Sequence, residues 1–299
     1  MKKVIVLGHK GRFGRHAAAA CRAAGWQVTT FGRGPSDRAP HIEGDATDVD
    51  ALVAACCGQD VIVNALNPLY PDWAEALPRM TKAVIAAAMS SGARVVIPGN
   101  MYNYGAGMPA RVNEATPWRP TTRKGRLRVE MEQSYRAAGV RTLVVRAGDY
   151  IDTRASGNWF DLQIAAKARA GRSVYPGPRD IVHAWAYLPD VARATVALLE
   201  LEAQLAAFEE VLFPGFDLTG HALVDEIARA TGMTQKVSGI PWRLLWLMGP
   251  VNPMMREIHE MRYLWSVPHG INGARFAALV PGFTPTPLAD AIALAVPGA

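Results

Sequence analysis

The sequence predicts an α/β protein built on a doubly wound parallel sheet, with a smaller C-terminal lobe. Three observations carry that prediction. A wholly apolar run, Val4 to Leu7, is followed at once by the glycine-spaced stretch Gly8-His9-Lys10-Gly11-Arg12-Phe13-Gly14. Short β-branched runs then alternate with alanine-rich stretches as far as Arg146. Beyond Arg146 the alternation loosens and prolines accumulate.

Each element has a local reason. Val4 to Leu7 has no polar alternation, as expected of a strand buried on both faces. A helix from about Arg12 to Ala24 follows, then strands at Trp26 to Phe31 and His41 to Glu43. The helical stretch Asp48 to Cys57 leads into a strand at Asp60 to Asn64. Ala74 to Ser91 reads as a long helix and Arg94 to Ile97 as a fifth strand; a helix at Arg123 to Ala138 then precedes the strand Thr142 to Arg146. Pro176, Pro178 and Pro189 mark a loop-rich stretch, after which a helix (Asp190 to Glu202) and a strand (Glu210 to Phe213) return. Thr219 is placed to N-cap a helix from His221 to Thr231.

Composition narrows the function classes. With 299 residues, half of them hydrophobic, the chain can bury a sizeable core. Its 32 basic and 26 acidic residues leave a net charge of +6, which suits a small anionic ligand. Nucleic acid is not expected, because the basic residues lack interleaved aromatic platforms. Cys21, Cys56 and Cys57 are an odd set without framework spacing, which fits a reducing cytoplasm. No apolar run approaches the ~20 residues of a membrane span, and Val4 to Leu7 is shorter than a signal-peptide core. No membrane association and no metal site are expected; a small-molecule substrate is the expected partner.

The glycine loop sits where a dinucleotide would be bound. Gly8 permits a tight turn, Gly11 lets the backbone approach a pyrophosphate, and Gly14 allows the helix to pack closely on the sheet, as in a Rossmann-like fold. The helix N-terminus adds free N–H groups for the phosphates. About twenty residues on, the second strand ends in Gly32-Arg33, with arginine where an acid would bond the ribose of NAD. Arginine suits a 2'-phosphate, so NADP(H) is preferred over NAD(H), with Lys10 and Arg12 as further cations.

Several stretches together resemble the extended or atypical short-chain dehydrogenase/reductase superfamily, the epimerase/dehydratase-like group. They are the GxxGxxG spacing, Gly44 to Asp48 ("GDATD"), the "VNALN" closing the fourth strand, "VVIPGNMYNYG" around the fifth, and "PDVARATVALLE" from Pro189. The resemblance spans about two thirds of the chain. It implies that Asp45 and Ala46 lie near the adenine, that Ala65, Leu66 and Asn67 line the middle of the cofactor, and that Gly99 and Asn100 approach the nicotinamide. It also implies a discontinuous division: a nucleotide domain of residues 1–148 plus about 188–216, and a substrate lobe of about 149–187 plus 217–299. A homodimer is an expectation from the resemblance alone.

The resemblance fails where the chemistry is expected. The family's usual serine, and the tyrosine and lysine of its Tyr-x-x-x-Lys motif, align with Asn100, Thr122 and Arg126. Asn100 still offers a hydrogen bond to a substrate oxygen and Arg126 a grip on a ribose hydroxyl, but Thr122 has no proton to exchange near neutral pH. Tyr102 and Tyr104, with Lys124 on the next helix, are therefore the candidates for a displaced proton donor, against the reading that both tyrosines only pack in the cleft.

Weaker candidates complete the set. Arg119, Arg123, Lys124, Arg126 and Arg128 either grip an anionic substrate or form a solvated helix face, the default reading. His183 and His269, read as loop residues, are acid/base candidates or structural histidines, and Asp149 and Asp152 fall where a substrate lobe would begin. The Trp- and Met-rich stretch 241–265 reads as cleft wall plus core. Two functions stay open: an NADP(H)-dependent enzyme acting on a small carbonyl or alcohol with a nonstandard proton donor, or a non-catalytic NADP(H)-binding sensor or regulator.

Overall fold

Buried β-branched strands, paired in parallel, build the centre of the molecule. The computed structural model describes residues 1–36 and 40–296; residues 297–299, assigned above to the substrate lobe, lie outside the described residues. The first half runs β1 (Lys3–Leu7), α1 (Arg12–Ala23), β2 (Gln27–Gly32), β3 (His41–Glu43), α2 (Val49–Cys56), β4 (Val61–Asn64), α3 (Trp73–Ser91) and β5 (Arg94–Gly99). Next come β6 (Arg111–Val112), α4 (Arg123–Ala137), β7 (Thr142–Arg146), β8 (Asp149–Ile151), β9 (Arg172–Tyr175), β10 (Val182–Tyr187) and α5 (Leu188–Glu200). The chain closes with β11 (Phe208–Leu212), β12 (Phe216–Thr219), α6 (Gly220–Thr231), β13 (Lys236–Gly239), α7 (Trp242–Met248), α8 (Pro253–Glu260), β14 (Gly270–Ile271), α9 (Ala274–Leu279) and α10 (Leu288–Ala295).

The main sheet has seven strands in the order β11-β7-β5-β4-β1-β2-β3, every pair parallel. This is the doubly wound, Rossmann-like sheet that the alternation predicts. Period-two alternation divides its strands between two cores. Ile5, Leu7, Ile62, Val95 and Ile97 face α2, α3 and α4, while Val4, Val6, Val61, Val63 and Val96 face α1 and α5. The order reverses between β1 and β4, and ligands of such sheets bind in the crevice at that reversal.

The remaining strands lie outside this sheet. β8, β10 and β12 form a three-stranded sheet, β9 pairs with β13, and β6 pairs with β14. The last pairing carries the segment after β5 across to the C-terminal part of the chain, an interlacing that the sequence did not suggest. The loop-rich stretch after Arg146 holds three strands, β8 to β10, so His183 lies on a strand rather than in a loop. The Trp- and Met-rich stretch is split: Met261, Leu264 and Trp265 are buried, whereas Leu244, Trp246, Leu247 and Val251 are exposed. No described helix is long and apolar enough to cross a membrane.

Candidate functional site

The glycine loop takes the form that its spacing predicts. Gly8 has φ +75°, a left-handed conformation, and a Cβ there would lie 2.8 Å from Ala65 O at the end of β4. A Cβ on Gly14 would lie 2.4 Å from Gly8 O, so only glycine lets α1 pack against the turn. Gly11 closes the turn by donating its N–H to Gly8 O at 2.9 Å. The first intrahelical bond of α1 is Arg15 N–H to Gly11 O at 3.2 Å, which leaves the N–H groups of Arg12, Phe13 and Gly14 ahead of the ladder. A cradle of glycines with free amides at a helix start fits a pyrophosphate.

The predicted middle-cofactor residues border this cradle: Ala65 is buried against Gly8, Leu66 N–H donates to Asn64 Oδ1 at 3.3 Å, and Asn67 is exposed. Arg12 is used differently from the expectation. Its guanidinium donates to Ser156 O at 2.9 Å and to Gly157 O, so it ties the loop to the segment after β8 instead of standing free for a 2'-phosphate. Beside it, Arg15 and His16 both bond the buried carboxylate of Asp152, the histidine at 2.8 Å.

The end of β2 is rich in cations and imidazoles. Arg33 is exposed, and Lys10 Nζ reaches across to Pro35 O at 2.8 Å and Arg33 O at 3.5 Å. The rings of His9 and His41 lie 4.9 Å apart, and His41 is fixed by Thr30 Oγ1 at 2.9 Å and Gly34 O at 3.0 Å. Both ring nitrogens of His9 are buried without a partner. Burial, above all, lowers the His9 pKa, so the ring favours its neutral form. His9 and His41 were missed from sequence, since nothing local joins the glycine loop to β3. Asp45 accepts from Thr47 N–H at 2.8 Å and Thr47 Oγ1 at 2.9 Å, bonds that hold its carboxyl below the usual range, with Arg33 adding to the effect. Ala46 beside it is buried.

Around β5 and α4 the candidates separate. Asn100 Oδ1 accepts the N–H of Tyr102 at 3.0 Å, capping the short turn Met101–Tyr104. Tyr102 shares a hydroxyl–hydroxyl bond of 2.9 Å with Tyr70, and burial raises its pKa well above normal. Tyr104 turns elsewhere: its hydroxyl donates to Glu210 at 3.1 Å and its ring lies over Arg146, so it serves the core behind Asn100. Thr122 is the N-cap of α4, accepting from Gly125 N–H at 3.1 Å. Arg126 is exposed, on the side of α4 opposite Lys124 and Arg128, which corrects its assignment to the cofactor ribose.

Nor is the basic cluster a uniformly solvated face. Lys124 is 1% exposed and bonds Glu257 at 2.6 Å and Glu260 at 2.5 Å, with its ammonium 5.2 Å from the centre of the Tyr70 ring. Arg128 is buried and donates to Pro98 O at 2.7 Å, making it the cation of α4 nearest the end of β5. Its pKa is lowered by burial, with Glu132 opposing that shift.

A cavity of about 20 Å³, room for one water-sized group, opens between the ends of β5 and β7 and the second sheet. Asn100, Tyr102, Gly148, Asp149, His183, Leu264 and His269 line it, together with Met101 and Ala147. The sequence named all five of its polar residues separately, and the fold brings them together. His183 Nε2 lies 2.8 Å from Asp149 Oδ2, and His183 Nδ1 is buried without a partner. His269 is pushed down to about 3 by burial and by the neighbouring His183. A larger cavity of about 310 Å³ lies away from this place, between residues 113–115, Glu209, Glu210 and the start of α9. Among the described residues no cluster of His, Cys, Asp and Glu is arranged to hold a metal.

A parallel doubly wound sheet with a glycine cradle at its reversal point defines a dinucleotide-binding protein. The chain belongs to the NAD(P)H-binding family, whose model matches residues 8–174. No curated protein matches it. Among solved structures it is similar to a putative epimerase from Burkholderia cenocepacia, 18% identical over 99% of this chain and 97% of that one, with a TM-score of 0.79. The enzyme WbmH of Bordetella bronchiseptica, solved with NAD+, is 17% identical over 99% and 97%, with a TM-score of 0.76. A UDP-N-acetylglucosamine 4-epimerase from Bacillus cereus is 14% identical over 98% and 97%, with a TM-score of 0.77. At these identities the likeness is one of fold.

Proposed function

We propose that this chain is an NADP(H)-dependent oxidoreductase, or epimerase/dehydratase-like enzyme, acting on a small carbonyl or alcohol substrate with a nonstandard proton donor. Dinucleotide binding follows from the family; the NADP preference and the chemistry are the proposal. The observation that carries the preference is the end of β2, where Arg33 stands beside Lys10 and the His9–His41 pair. A phosphate ester there meets a bidentate donor and a second cation.

When bound, the nicotinamide supplies or accepts hydride, and the chain's own residues must then hold the substrate oxygen and move its proton. Asn100 is suited to the first task, because spending its Oδ1 on Tyr102 N–H leaves the amide NH2 to donate. Tyr102 supports binding better than proton release, since its raised pKa keeps the hydroxyl protonated. The cavity is small and has five polar side chains in its lining, which suits one carbonyl or hydroxyl oxygen. The neighbours that act on sugar nucleotides fit the same class of secondary alcohol chemistry.

A second reading has its own support. Thr122 and the Asn100 carbonyl oxygen of the amide are both occupied in capping turns, which suits a sensor that binds NADP(H) without turnover. Calorimetric titration with NADPH and NADH, on wild type and Arg33→Ala, tests the cofactor claim. Selective loss of NADPH affinity in the variant supports it, and equal loss of both removes the preference. Oxidation of bound NADPH by a panel of small aldehydes and ketones separates enzyme from sensor.

A further inference from the structure

We propose that His183 and Asp149 are the proton-handling pair of this site: His183 Nδ1 exchanges a proton with the oxygen of an alcohol or carbonyl substrate, and Asp149 orients the ring. This rests on the enzyme reading above and supplies the donor that the missing tyrosine would have been.

The pairing follows from strand geometry. Along β10, His183 and Trp185 share one face, and the parallel register sets Trp185 opposite Asp149 of β8. Asp149 is thus a diagonal neighbour of His183 on the same face. Gly148 makes this approach feasible, since a Cβ there would lie 2.1 Å from Ala184 O. The imidazole is clamped on its face by Trp265, at 4.3 Å and 7° between planes, and at its edge by His269 at 4.4 Å.

The tautomer is dictated by the carboxylate. A carboxylate oxygen 2.8 Å from Nε2 can only accept, so Nε2 carries the hydrogen and Nδ1 holds the lone pair of the neutral ring. That nitrogen is buried without a partner, in a residue lining a water-sized cavity. A buried polar atom of this kind calls for an explanation, and a substrate oxygen in the cavity supplies one.

The other ionisable groups around the cavity keep their protonation states. Tyr70, Tyr102, Tyr175 and Tyr263 all lie within electrostatic reach of Asp149, and burial raises each, so their hydroxyls keep their protons. His269 is held neutral, with its Nδ1 bonded to Val267 O at 2.8 Å, so it neither competes nor repels an imidazolium.

In the oxidative direction the substrate O–H bond breaks and its proton passes to Nδ1. The C–H electron pair leaves as hydride to an oxidised nicotinamide dinucleotide, and the C=O bond forms. Asp149 stays ionised and balances the imidazolium. Reduction runs the same steps backward, with His183 giving the proton.

Two measurements decide it. Long-range 1H–15N spectra of the full chain, with and without NADPH, are expected to show the His183 proton on Nε2, and Asp149→Asn to abolish that preference. In NADPH oxidation by the aldehyde and ketone panel, His183→Gln is expected to lower kcat about 10²- to 10⁴-fold. It should also leave NADPH affinity within about twofold. A proton on Nδ1 in wild type, or a His183→Gln protein as active as wild type, overturns the proposal while the cofactor reading stands. Loss of NADPH binding in wild type overturns that reading instead, and binding without turnover of any panel member overturns the enzyme reading and the role of His183 with it. If His183→Gln melts early, the Asp149→Asn spectra and kinetics carry the test.

Discussion

The Arg146 guanidinium bonds Glu132 Oε2 at 2.6 Å with both side chains fully buried, and its other nitrogens hold Glu210 Oε1 at 2.5 Å and Asn100 O at 2.6 Å. The arginine closing β7 therefore fixes the backbone of Asn100, which lines the small cavity. Arg128, 3.7 Å from Glu132, completes a set of two cations and two anions, and its charges balance. Removing one member leaves an uncompensated buried charge. Glu132→Ala is expected to cost about 3–5 kcal/mol, read from denaturant midpoints, whereas a pair worth little would shift them by under about 1 kcal/mol.

The cradle predicts its own failure. A Cβ on Gly14 would lie 2.4 Å from Gly8 O and 3.0 Å from His9 Cα, all backbone, so no side chain can move to relieve it. Gly14→Ala must push α1 away from the turn and misaim the amides that face the pyrophosphate. NADPH and NADH affinities should both fall at least tenfold by calorimetry. A Gly139→Ala control, where nothing lies within 4 Å of the added Cβ, should bind normally despite its positive φ.

How much of this was legible in the sequence depends on the separation of the partners. The β-α alternation and the three glycines lie within single local stretches, and, β6 apart, the strands and helices up to Arg146 fall where the apolar runs place them. The capping role of Thr122 is also local, one residue before the predicted helix start at Arg123. The Asp149–His183 pair spans 34 residues and exists because β8 and β10 lie in parallel register. β10 itself was hidden: Val182 to Tyr187 lies in a proline-punctuated stretch, with no polar alternation to mark it. Arg126 was placed by alignment spacing, and helical periodicity turns Arg128 inward in its stead.

Asp152 gives a pH dependence with a definite sign. Burial alone would raise its carboxyl, but hydrogen bonds from His16, Ser156 and Arg15 outweigh it and hold the pKa at about 2. A folded pKa below the unfolded value of about 3.9 contributes stability above pH ~4, and that stability is lost as pH falls through about 2. The difference corresponds to about 2–3 kcal/mol at neutral pH. Asp152→Asn should lose about that much at pH 7 and much less at pH 2, measured by urea unfolding at both. An equal loss at the two pH values would assign the effect to packing.

Two of the three tryptophans of the Trp- and Met-rich stretch should behave oppositely. Trp265 is 2% exposed and meets Trp159, Tyr175, His183 and Trp185 ring to ring, so Trp265→Ala removes the clamp on His183 and opens a cavity. That change is expected to cost about 3–5 kcal/mol. Trp246 is 63% exposed on α7, which has no fully buried residue, and Trp246→Ser should stay within about 0.5 kcal/mol of wild type. Thermal melts of both variants check the contrast. A large loss from Trp246→Ser would show that α7 is covered in solution, by ligand or by another chain, and would move the apolar tip from surface to interface.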